Sequence, residues 1–387
     1  MKISVSEINE CVQLGLGWLT SMTRQIGKDK YAIYERFMIN LLQIKKLFRP
    51  DCCAEFGLLL SEINEDSQDL ATIREGIKRW LLESIHNNRY FFGFDEEKKV
   101  WVNQSWINDN SKVLIYFINE EEYAVAEKIA RFLLDAQDVS GGFKACLVED
   151  REWFPVFVTT TNWATYSLLR LYSATKNNVY LEAALKGLDW LINKQKQNGR
   201  ITTTYELYRG EPMRENWRPP SSETAEVILP LVEASRLGFN EYRKNLEAAL
   251  SWLMTLQHES GGIMNCDDES INASEECNKY LADLVYTNSY ALLSAIEALK
   301  VTMRKDLETF VEKLATFLMK IQVREDVFWK GGWRGSYDLM EKKWAGRSLL
   351  GGNFEEEGGM YSVYTGWSAA VILLGLTKLA KIIQKNI

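Results

Sequence analysis

Histidine is nearly missing from this sequence of 387 residues, in which only His86 and His258 occur. Two histidines support no Ser-His-Asp grouping of the kind used in nucleophilic hydrolysis. The glycines form neither a P-loop nor a dinucleotide-binding fingerprint, and the adjacent Cys52 and Cys53 do not form a C-x-x-C metal motif. We therefore expect a protein without a metal ion or an organic cofactor.

Positive charge is also in short supply. The 46 Lys and Arg residues face 53 Asp and Glu residues, for a net charge of -7. No long basic run occurs, which argues against a nucleic-acid partner because phosphate binding needs a basic face.

No stretch reaches the roughly 18 uninterrupted apolar residues of a membrane span, so no membrane partner is expected. The N-terminal segment, with Glu7 and Glu10, is a poor signal peptide. The six scattered cysteines are expected as thiols, and the sequence predicts a cytoplasmic protein.

What the chain does contain is an internal repeat. Four segments share the end of an amphipathic helix, a glutamine and a turn in which glycines supply tight or left-handed backbone. They are LLDAQDVSGGF (133–143), LINKQKQNGRI (191–201), LMTLQHESGGI (253–263) and LMKIQVREDVFWKGGW (318–333), with a weaker fifth copy in LLESIHNNRYFFGF (81–94). Repeats with this spacing indicate helical hairpins.

After each turn a long polar or aromatic segment leads to a more apolar helix. These apolar helices are predicted to begin near Asp51, Asn108, Thr159, Ser221, Tyr286 and Tyr364. They alternate with amphipathic helices predicted at about 5–22, 67–87, 121–137, 178–196, 240–257 and 304–322. The first set is typical of helices buried on most sides and the second of helices with one wet face. The alternation predicts an all-α fold, an α6/α6 toroid in which residues 1–387 form a single domain with its long loops on one rim. An open solenoid has the same periodicity and stays an alternative.

A toroid brings six inner-helix N-termini around one depression, and helix N-termini suit polar or anionic ligands. Asn108 is expected to cap its helix, which leaves Asp109 available for another role. Capping does not explain why Trp163 and Trp367 stand on the first turns of buried helices. The long loops also mix aromatic, acidic and arginine residues, which is typical of loops that carry function. The candidate substrate-binding residues are Arg49, Asn108, Asn162, Trp163, Trp217, Arg218, Asn288 and Trp367.

Carboxylate chemistry fits this rim best. Cleavage of a glycosidic bond needs one acid with a raised pKa, a second carboxylate across a gap, and aromatic surfaces for the sugar. The candidate catalytic residues are Asp109, Glu223, Asp51 and Glu55. We expect Asp109 to be the acid or base and Glu223 or Asp51 to be the second carboxylate, acting on an oligosaccharide or another small molecule. The alternative is that these acids cap helices or pair with Arg49 and Arg218.

The alternating hairpins, the L-x-x-Q plus Gly-Gly turns and the acidic and aromatic rim resemble the six-hairpin glycosidase superfamily and related toroidal lyases and epimerases. The resemblance covers essentially the whole chain. It implies a carbohydrate-active enzyme, with hydrolysis first and elimination or epimerisation as variants. In that superfamily the catalytic acids typically lie near inner-helix N-termini, which by position implies Asp51, Asp109 and Glu223. Many of these enzymes also use histidine, whereas His86 and His258 are both expected at outer-helix C-termini.

The segments AQDVSGGF and LQHESGGI also resemble the Q-x-x-x-G-x-W repeats of terpene cyclases, in the squalene cyclase and protein prenyltransferase group, with Phe or Ile in place of Trp. The D-x-D-D and D-D-x-x-D motifs of such enzymes are missing, and NCDDES (265–270) is the nearest sequence. A terpene cyclase-like or prenyltransferase-like enzyme is therefore the alternative function. A non-catalytic toroid that serves as an interaction scaffold is a third interpretation.

Overall fold

The computed structural model describes residues 3–63, 67–201, 207–208, 211–212, 219–270, 278–345 and 361–385. Within these residues twelve α-helices alternate between two rings, so the predicted α/α toroid is confirmed. The inner ring contains α2 (Pro50–Glu62), α4 (Ile107–Asn119), α6 (Val158–Thr175), α8 (Pro220–Arg236), α10 (Thr287–Leu299) and α12 (Val371–Lys385), the last preceded by a π-helical turn at Thr365–Ala370. The outer ring contains α1 (Val5–Ser21), α3 (Gln68–Glu83), α5 (Tyr123–Asp135), α7 (Asn178–Ile192), α9 (Arg243–Thr255), with a 3₁₀ turn at Asn240–Tyr242 before it, and α11 (Lys305–Ile321).

The two rings differ in how much of each helix is buried. In α8 every residue from Pro220 to Ala234 is buried, as the apolar, small-residue sequence predicts. In α7 the buried residues include Tyr180, Ala183, Ala184 and Gly187, which follow the three-and-four spacing of a single helix face. The inner helices are therefore enclosed on nearly all sides, and each outer helix keeps one face in water.

The long connections on the rim contain short strands that the sequence analysis treated only as loops. A six-stranded sheet joins β1 (Thr23–Gly27), β2 (Lys30–Met38), β3 (Gln43–Phe48), β4 (Gly93–Asp95), β5 (Val100–Val102) and β14 (Ser362–Tyr364), where β14 pairs with β2. The smaller sheets are β6 (Gln104–Trp106) with β7 (Cys146–Val148) and β8 (Glu152–Trp153), β9 (Leu207–Tyr208) with β10 (Glu211–Pro212), and β11 (Leu281–Asp283) with β12 (Ser336–Asp338) and β13 (Lys343–Trp344). All described pairings are antiparallel.

The ring is closed, which excludes the open solenoid. Each inner helix packs against the next, and α12 returns to pack against both α2 and α1. Two polar contacts join the ends of the chain here. The Arg36 guanidinium donates to the Tyr364 hydroxyl at 2.7 Å, and the Thr365 hydroxyl donates to the Tyr34 carbonyl at 2.6 Å. The antiparallel pairing of β14 with β2 completes the closure.

The repeated glutamine ties four of the six outer helices, α5, α7, α9 and α11, each to the next one around the ring. The Gln257 amide donates to the Gly261 carbonyl at 3.1 Å and to the Phe310 carbonyl of α11 at 2.9 Å. Gln137, Gln195 and Gln322 donate to the equivalent glycine and to the backbone of α7, α9 and α1. Gly261 has φ +98°, and a Cβ there would lie 2.3 Å from the Lys313 carbonyl oxygen, so glycine meets both a backbone and a steric requirement. The weaker fifth copy has Ile85 in place of glutamine, and its tighter turn is closed by the backbone pairing of His86 with Arg89.

One helix, Thr365–Lys385, is long and apolar enough to cross a membrane, but 72% of its apolar window is buried inside the protein. It is the last helix of the inner ring, and the core helix of a soluble protein passes the same test of length and composition. A cytoplasmic location and the lack of membrane and nucleic-acid partners stay predictions.

Candidate active site

A depression of about 520 Å³ lies where the inner helices begin, on the rim that carries the strands. It is lined by Arg49, Phe92, Trp106, Asn108, Asp109, Lys112, Phe157, Thr159, Thr160, Tyr286 and Trp367. Four of the predicted site residues, Arg49, Asn108, Asp109 and Trp367, are therefore brought together. The lining combines aromatic rings with hydroxyl, amide, cationic and carboxyl groups, a combination that binds both polar groups and flat apolar faces.

Four aromatic residues of this lining were missed by the sequence analysis as site residues: Phe92, Trp106, Phe157 and Tyr286. Trp106, Phe157 and Tyr286 each stand directly before an inner helix, at α4, α6 and α10, and none of them makes a side-chain capping hydrogen bond. A large apolar residue at a helix cap position contradicts the usual preference for Ser, Thr, Asp or Asn. That repeated exception was the signal that could have identified these three.

The predicted cap at Asn108 is wrong. Helix α4 begins at Ile107, so Trp106 occupies the cap position, and Asn108 lies inside the first turn. Its side-chain amide donates instead to Asp109 Oδ1 at 2.9 Å. The next residue, Asn110, accepts from the Tyr90 backbone at 2.7 Å and thereby holds the preceding loop against the helix. Asp109 is thus free of capping, although for a different reason from the one expected.

Arg49 connects two carboxylates at the bottom of the depression. Its guanidinium donates to both oxygens of Asp51 at 2.9 and 3.0 Å and to Asp109 Oδ2 at 2.6 Å. The cation also lies 3.9 Å from the ring centre of Phe92 and 4.4 Å from that of Trp367. Because Arg49 and both carboxylates are buried, the two acids share this cation in a medium where charge is poorly screened. Glu35 also lies 3.5 Å from the Arg49 guanidinium.

The pKa values of the two carboxyl groups are shifted in opposite directions. Burial raises the pKa of Asp109 to about 8, helped by the neighbouring charge of Asp51 and opposed by Arg49. Burial also acts to raise the pKa of Asp51, but the charges of Arg49 and Lys112, with hydrogen bonds from Arg49 and the Trp367 indole, outweigh it and lower that pKa. The Trp367 indole donates to Asp51 Oδ2 at 2.6 Å. Asp51 is therefore the ionised partner of Arg49, and Asp109 is the group that holds a proton near neutral pH.

The floor of the depression is a buried cluster around Lys112. The Lys112 ammonium donates to Glu55 Oε1 at 3.0 Å and to the Tyr290 hydroxyl at 2.6 Å, and it lies 5.0 Å from the Trp163 ring centre. Tyr290 in turn donates to Glu55 Oε1 at 2.6 Å. Burial raises the pKa of Glu55, and the Lys112 charge opposes that shift. Glu55 and Trp163 thus lie below the depression, where they hold Lys112, which the sequence analysis missed.

The other predicted residues lie around this centre. Glu223 is fully buried and accepts hydrogen bonds from the Thr159 hydroxyl at 2.9 and 3.0 Å. Asn162 is buried, and its side-chain nitrogen and oxygen meet no partner among the described residues. The Asn288 amide pairs with both backbone groups of Ile263, so it holds a loop rather than lining the depression. Trp217 and Arg218 lie outside the described residues.

Histidine is remote from the depression. His86 follows α3 and stacks on Phe91 with ring centres 4.6 Å apart, and His258 follows α9 beside Ser260. Both positions at outer-helix ends were predicted. Within the described residues no group of three or more His, Cys, Asp and Glu residues is placed to hold a metal ion. The five described cysteines are buried and form no disulfide with one another.

No protein-family model and no curated protein sequence matches the chain. Solved structures do match it over nearly the whole length. A cellobiose 2-epimerase from Bacillus thermoamylovorans B4167 has 10% identity and a TM-score of 0.72, covering 97% of this chain and 99% of that chain. A GH76 α-mannanase from Bacteroides thetaiotaomicron has 12% identity and a TM-score of 0.68, covering 98% and 97%. The type II terpene cyclase MstE from Scytonema has 12% identity and a TM-score of 0.61, covering 98% and 100%. At these identities the likeness shows a shared α/α toroid fold.

Proposed function

We propose that this protein is an enzyme that acts on a carbohydrate and that Asp109 is its acid–base residue. The observation that carries the proposal is the position of Asp109 in the wall of the depression with a pKa raised to about 8. A carboxyl group with such a pKa is protonated in a large fraction of molecules at neutral pH, so it can donate a proton to a leaving oxygen and take one back.

The rest of the lining supports a sugar as the substrate. Asn108, Thr159 and Thr160 offer amide and hydroxyl groups to sugar hydroxyls, while Trp367 and Trp106 offer flat apolar surfaces to the ring faces. Two of the structures that share this fold, an epimerase and a mannanase, carry names that denote action on sugars. The sequence resemblance to toroidal carbohydrate enzymes points to the same class.

Whether a second carboxylate faces Asp109 determines whether the enzyme hydrolyses a glycosidic bond or transfers protons within a single sugar, as an epimerase does. Hydrolysis requires a base or nucleophile facing the acid, and Glu223 is our candidate because it binds Thr159 of the depression wall. Asp51 is a weaker candidate, since Arg49 donates to both of its oxygens and Trp367 donates to one of them. Its role in the proposal is to hold Arg49 and raise the pKa of Asp109. Glu55 acts through Lys112 as a positioning residue.

Acid-initiated cyclisation of a prenyl substrate is the second candidate function. The observation that favours it is the set of five aromatic rings in the depression wall, from Phe92, Trp106, Phe157, Tyr286 and Trp367. Such rings stabilise a carbocation through their negative faces, and a protonated Asp109 would start the reaction by adding its proton to an alkene. Lys112 and the hydroxyl-bearing lining suit a sugar better.

The test is a substrate screen with wild type and Asp109→Asn. Oligosaccharides and monosaccharides are assayed for released or isomerised sugar, and a prenyl substrate for cyclic product. We expect turnover of a sugar and a loss of about 10²- to 10⁴-fold in kcat in the Asp109→Asn enzyme, the usual contribution of a general acid. Asp69→Asn, at an exposed position of α3, is the matched control and should keep full activity.

Three results would count against the proposal. Equal activity of Asp109→Asn and wild type removes Asp109 from the chemistry. Turnover of the prenyl substrate alone favours the second candidate. Binding of a partner protein with no turnover of any compound favours the scaffold.

A further inference from the structure

The channel inside the inner ring continues below the Lys112 floor. Inward-facing positions recur every three or four residues along each inner helix, the spacing of one helix face. On α2 they are Asp51, Glu55, Leu58 and Glu62, on α4 they are Asp109, Lys112, Ile115 and Asn119, and on α6 they are Thr159, Trp163, Tyr166 and Arg170. The first position of each helix belongs to the depression or to the network beneath it, and the second forms the floor. The third and fourth lie at the opposite end of the ring.

The third layer is apolar. Residues from all six inner helices form there a hydrophobic cluster apart from the main core, with Leu58, Ile115, Tyr166, Leu229, Leu293 and Val371 contributing one each. Most of them line a second cavity, which encloses about 700 Å³ when the open space at its mouth is included. Lys112 is the one residue found in the lining of both cavities, so the floor separates them.

Arg170 borders this lower cavity and forms no ion pair among the described residues, although the charges of Glu233 and Glu297 act on it from a longer distance. Its Nη1 donates to the Tyr166 hydroxyl at 3.1 Å. The carboxylates at this end of the ring are paired with other cations: Glu62 with Lys381 at 2.7 Å, Glu233 with Arg236 at 3.1 Å, and Glu297 with Lys300 at 2.9 Å and Lys378 at 3.0 Å. The lining of the cavity itself holds three acids, Glu55, Glu62 and Glu297, and three cations, Lys112, Arg170 and Lys378. Among the described residues, Arg170 is the cation of this lining that forms no ion pair, so it is the one available to an anionic ligand.

Helix capping explains some of these cations but not Arg170. Cations are favoured at helix C-termini, where carbonyl groups lack partners. Lys381 donates to the Glu62 carbonyl at 2.6 Å and Arg236 to the Glu297 carbonyl at 3.4 Å. Arg170 makes no such bond to any residue that the structure describes, and its side chain is oriented along the wall of the cavity by Tyr166.

We infer that the lower cavity is a second ligand site, distinct from the depression, and that it takes an anionic amphiphile such as a fatty carboxylate. The alkyl chain lies against the apolar layer, where burial of each methylene stabilises the complex. The carboxylate receives hydrogen bonds from Arg170, whose planar guanidinium suits a carboxylate. This assignment does not depend on the reaction carried out in the depression.

Isothermal titration calorimetry with decanoate below its micelle concentration tests the site. Wild type should bind one decanoate, and Arg170→Gln should bind it at least about tenfold more weakly because a charged hydrogen-bond donor is lost. Arg170→Lys keeps the charge and should restore part of the affinity. Decanol, which has the same chain without the charge, should bind more weakly than decanoate. Equal affinity of Arg170→Gln and wild type, or of decanol and decanoate, would overturn the assignment.

Two further variants locate the ligand. Leu293→Phe adds bulk to the apolar layer and should weaken decanoate binding while the thermal unfolding temperature shows that the ring stays folded. Asp109→Asn lies above the Lys112 floor and should leave the decanoate affinity unchanged. Loss of decanoate binding in Asp109→Asn, with the fold intact, would place the ligand in the upper depression and refute the second site. An active enzyme that binds no decanoate would refute this inference while leaving the proposed function in place.

Discussion

Asp109 and Asp51 share one cation, yet their pKa values differ because they accept hydrogen bonds from different donors. Asp51 accepts two bonds from Arg49 and one from Trp367, whereas Asp109 accepts one from Arg49 and one from the neutral amide of Asn108. Each bond to a charged donor favours the ionised carboxylate. Asp51, which accepts more hydrogen bonds from the charged donor, keeps its negative charge, and that charge disfavours a second negative charge at Asp109. The arrangement produces one permanent anion and one proton carrier from identical side chains.

The pH dependence of the proposed reaction should follow Asp109. If the protonated acid is the active form, kcat/KM falls as the pH rises through about 8, the value to which burial raises the pKa of Asp109. Asp51→Asn removes the negative charge that helps to hold this pKa up, so the falling limb should move to lower pH. Rate profiles from pH 5 to pH 10 measure both effects. A falling limb that is the same in Asp51→Asn and wild type would show that a different group controls it.

The same carboxyl should make the fold less stable as the pH rises. The folded pKa of Asp109 is about 8 and the ordinary value is 3.8, so between these values the folded state binds more protons than the unfolded state. Stability that is fully present below pH 4 is then lost as the pH rises through about 8. Asp109→Asn removes this dependence, and its unfolding temperature relative to wild type should therefore increase from pH 5 to pH 9. A constant difference across that range would contradict the raised pKa.

At the level of the elements, sequence periodicity predicted the starts of five inner helices, and of the π-helical turn before α12, to within one residue, but it missed all the strands. The helices repeat an apolar face over three to five turns, which is a strong signal. Strands such as Cys146–Val148 and Glu152–Trp153 have three and two residues, too few for an alternating pattern to be visible. The longer β2 was missed because six consecutive residues of it are buried, so buried and exposed positions do not alternate. The aromatic wall of the depression was missed for a related reason, because Trp106 and Phe157 are positioned by the short strands and by the first turns of α4 and α6.

The glutamine of the repeat should stabilise the outer ring. Gln257→Leu removes two hydrogen bonds, to Gly261 and to Phe310 of α11, and leaves the Gly261 carbonyl without that partner. We expect a loss of about 1–3 kcal/mol in the free energy of unfolding. Gln68→Leu, at an exposed position of α3, is the matched control and should change the stability by less than about 0.5 kcal/mol. Urea unfolding of both variants measures the difference, and equal midpoints would show that the link contributes nothing.

At the scale of the whole molecule, closure of the ring is what brings the site together. Arg49 and Asp51 belong to the second helix of the chain and Trp367 to the last inner segment, yet Trp367 donates to Asp51 and packs on Arg49. The periodic pattern alone could not tell a closed ring from an open solenoid, because it indicates only that each hairpin packs on the next and not that the first and last hairpins meet. The side chains that join the ends, Arg36 with Tyr364 and Thr365 with the β2 backbone, carry no periodic signal.

Two glycines of α1 test whether the closed ring unfolds as one unit. A Cβ at Gly15 would lie 2.7 Å from the Leu373 side chain of α12, whereas a Cβ at Gly17 would meet nothing within 4 Å. Gly15→Val should therefore force α1 away from α12 and cost about 1–3 kcal/mol, the usual effect of overpacking a core. Gly17→Val makes the same chemical change two residues along the same helix and should be close to neutral.

Thermal unfolding followed by circular dichroism and by the enzyme assay separates two outcomes. If residues 1–387 form one cooperative domain, Gly15→Val lowers the temperature of a single transition, and activity is lost together with helical structure. Because the displaced α12 follows the turn that carries Trp367 to Asp51, the kcat of Gly15→Val should also fall at temperatures below that transition. Two separate transitions, or a destabilised variant with unchanged kcat, would mean that the site does not depend on closure.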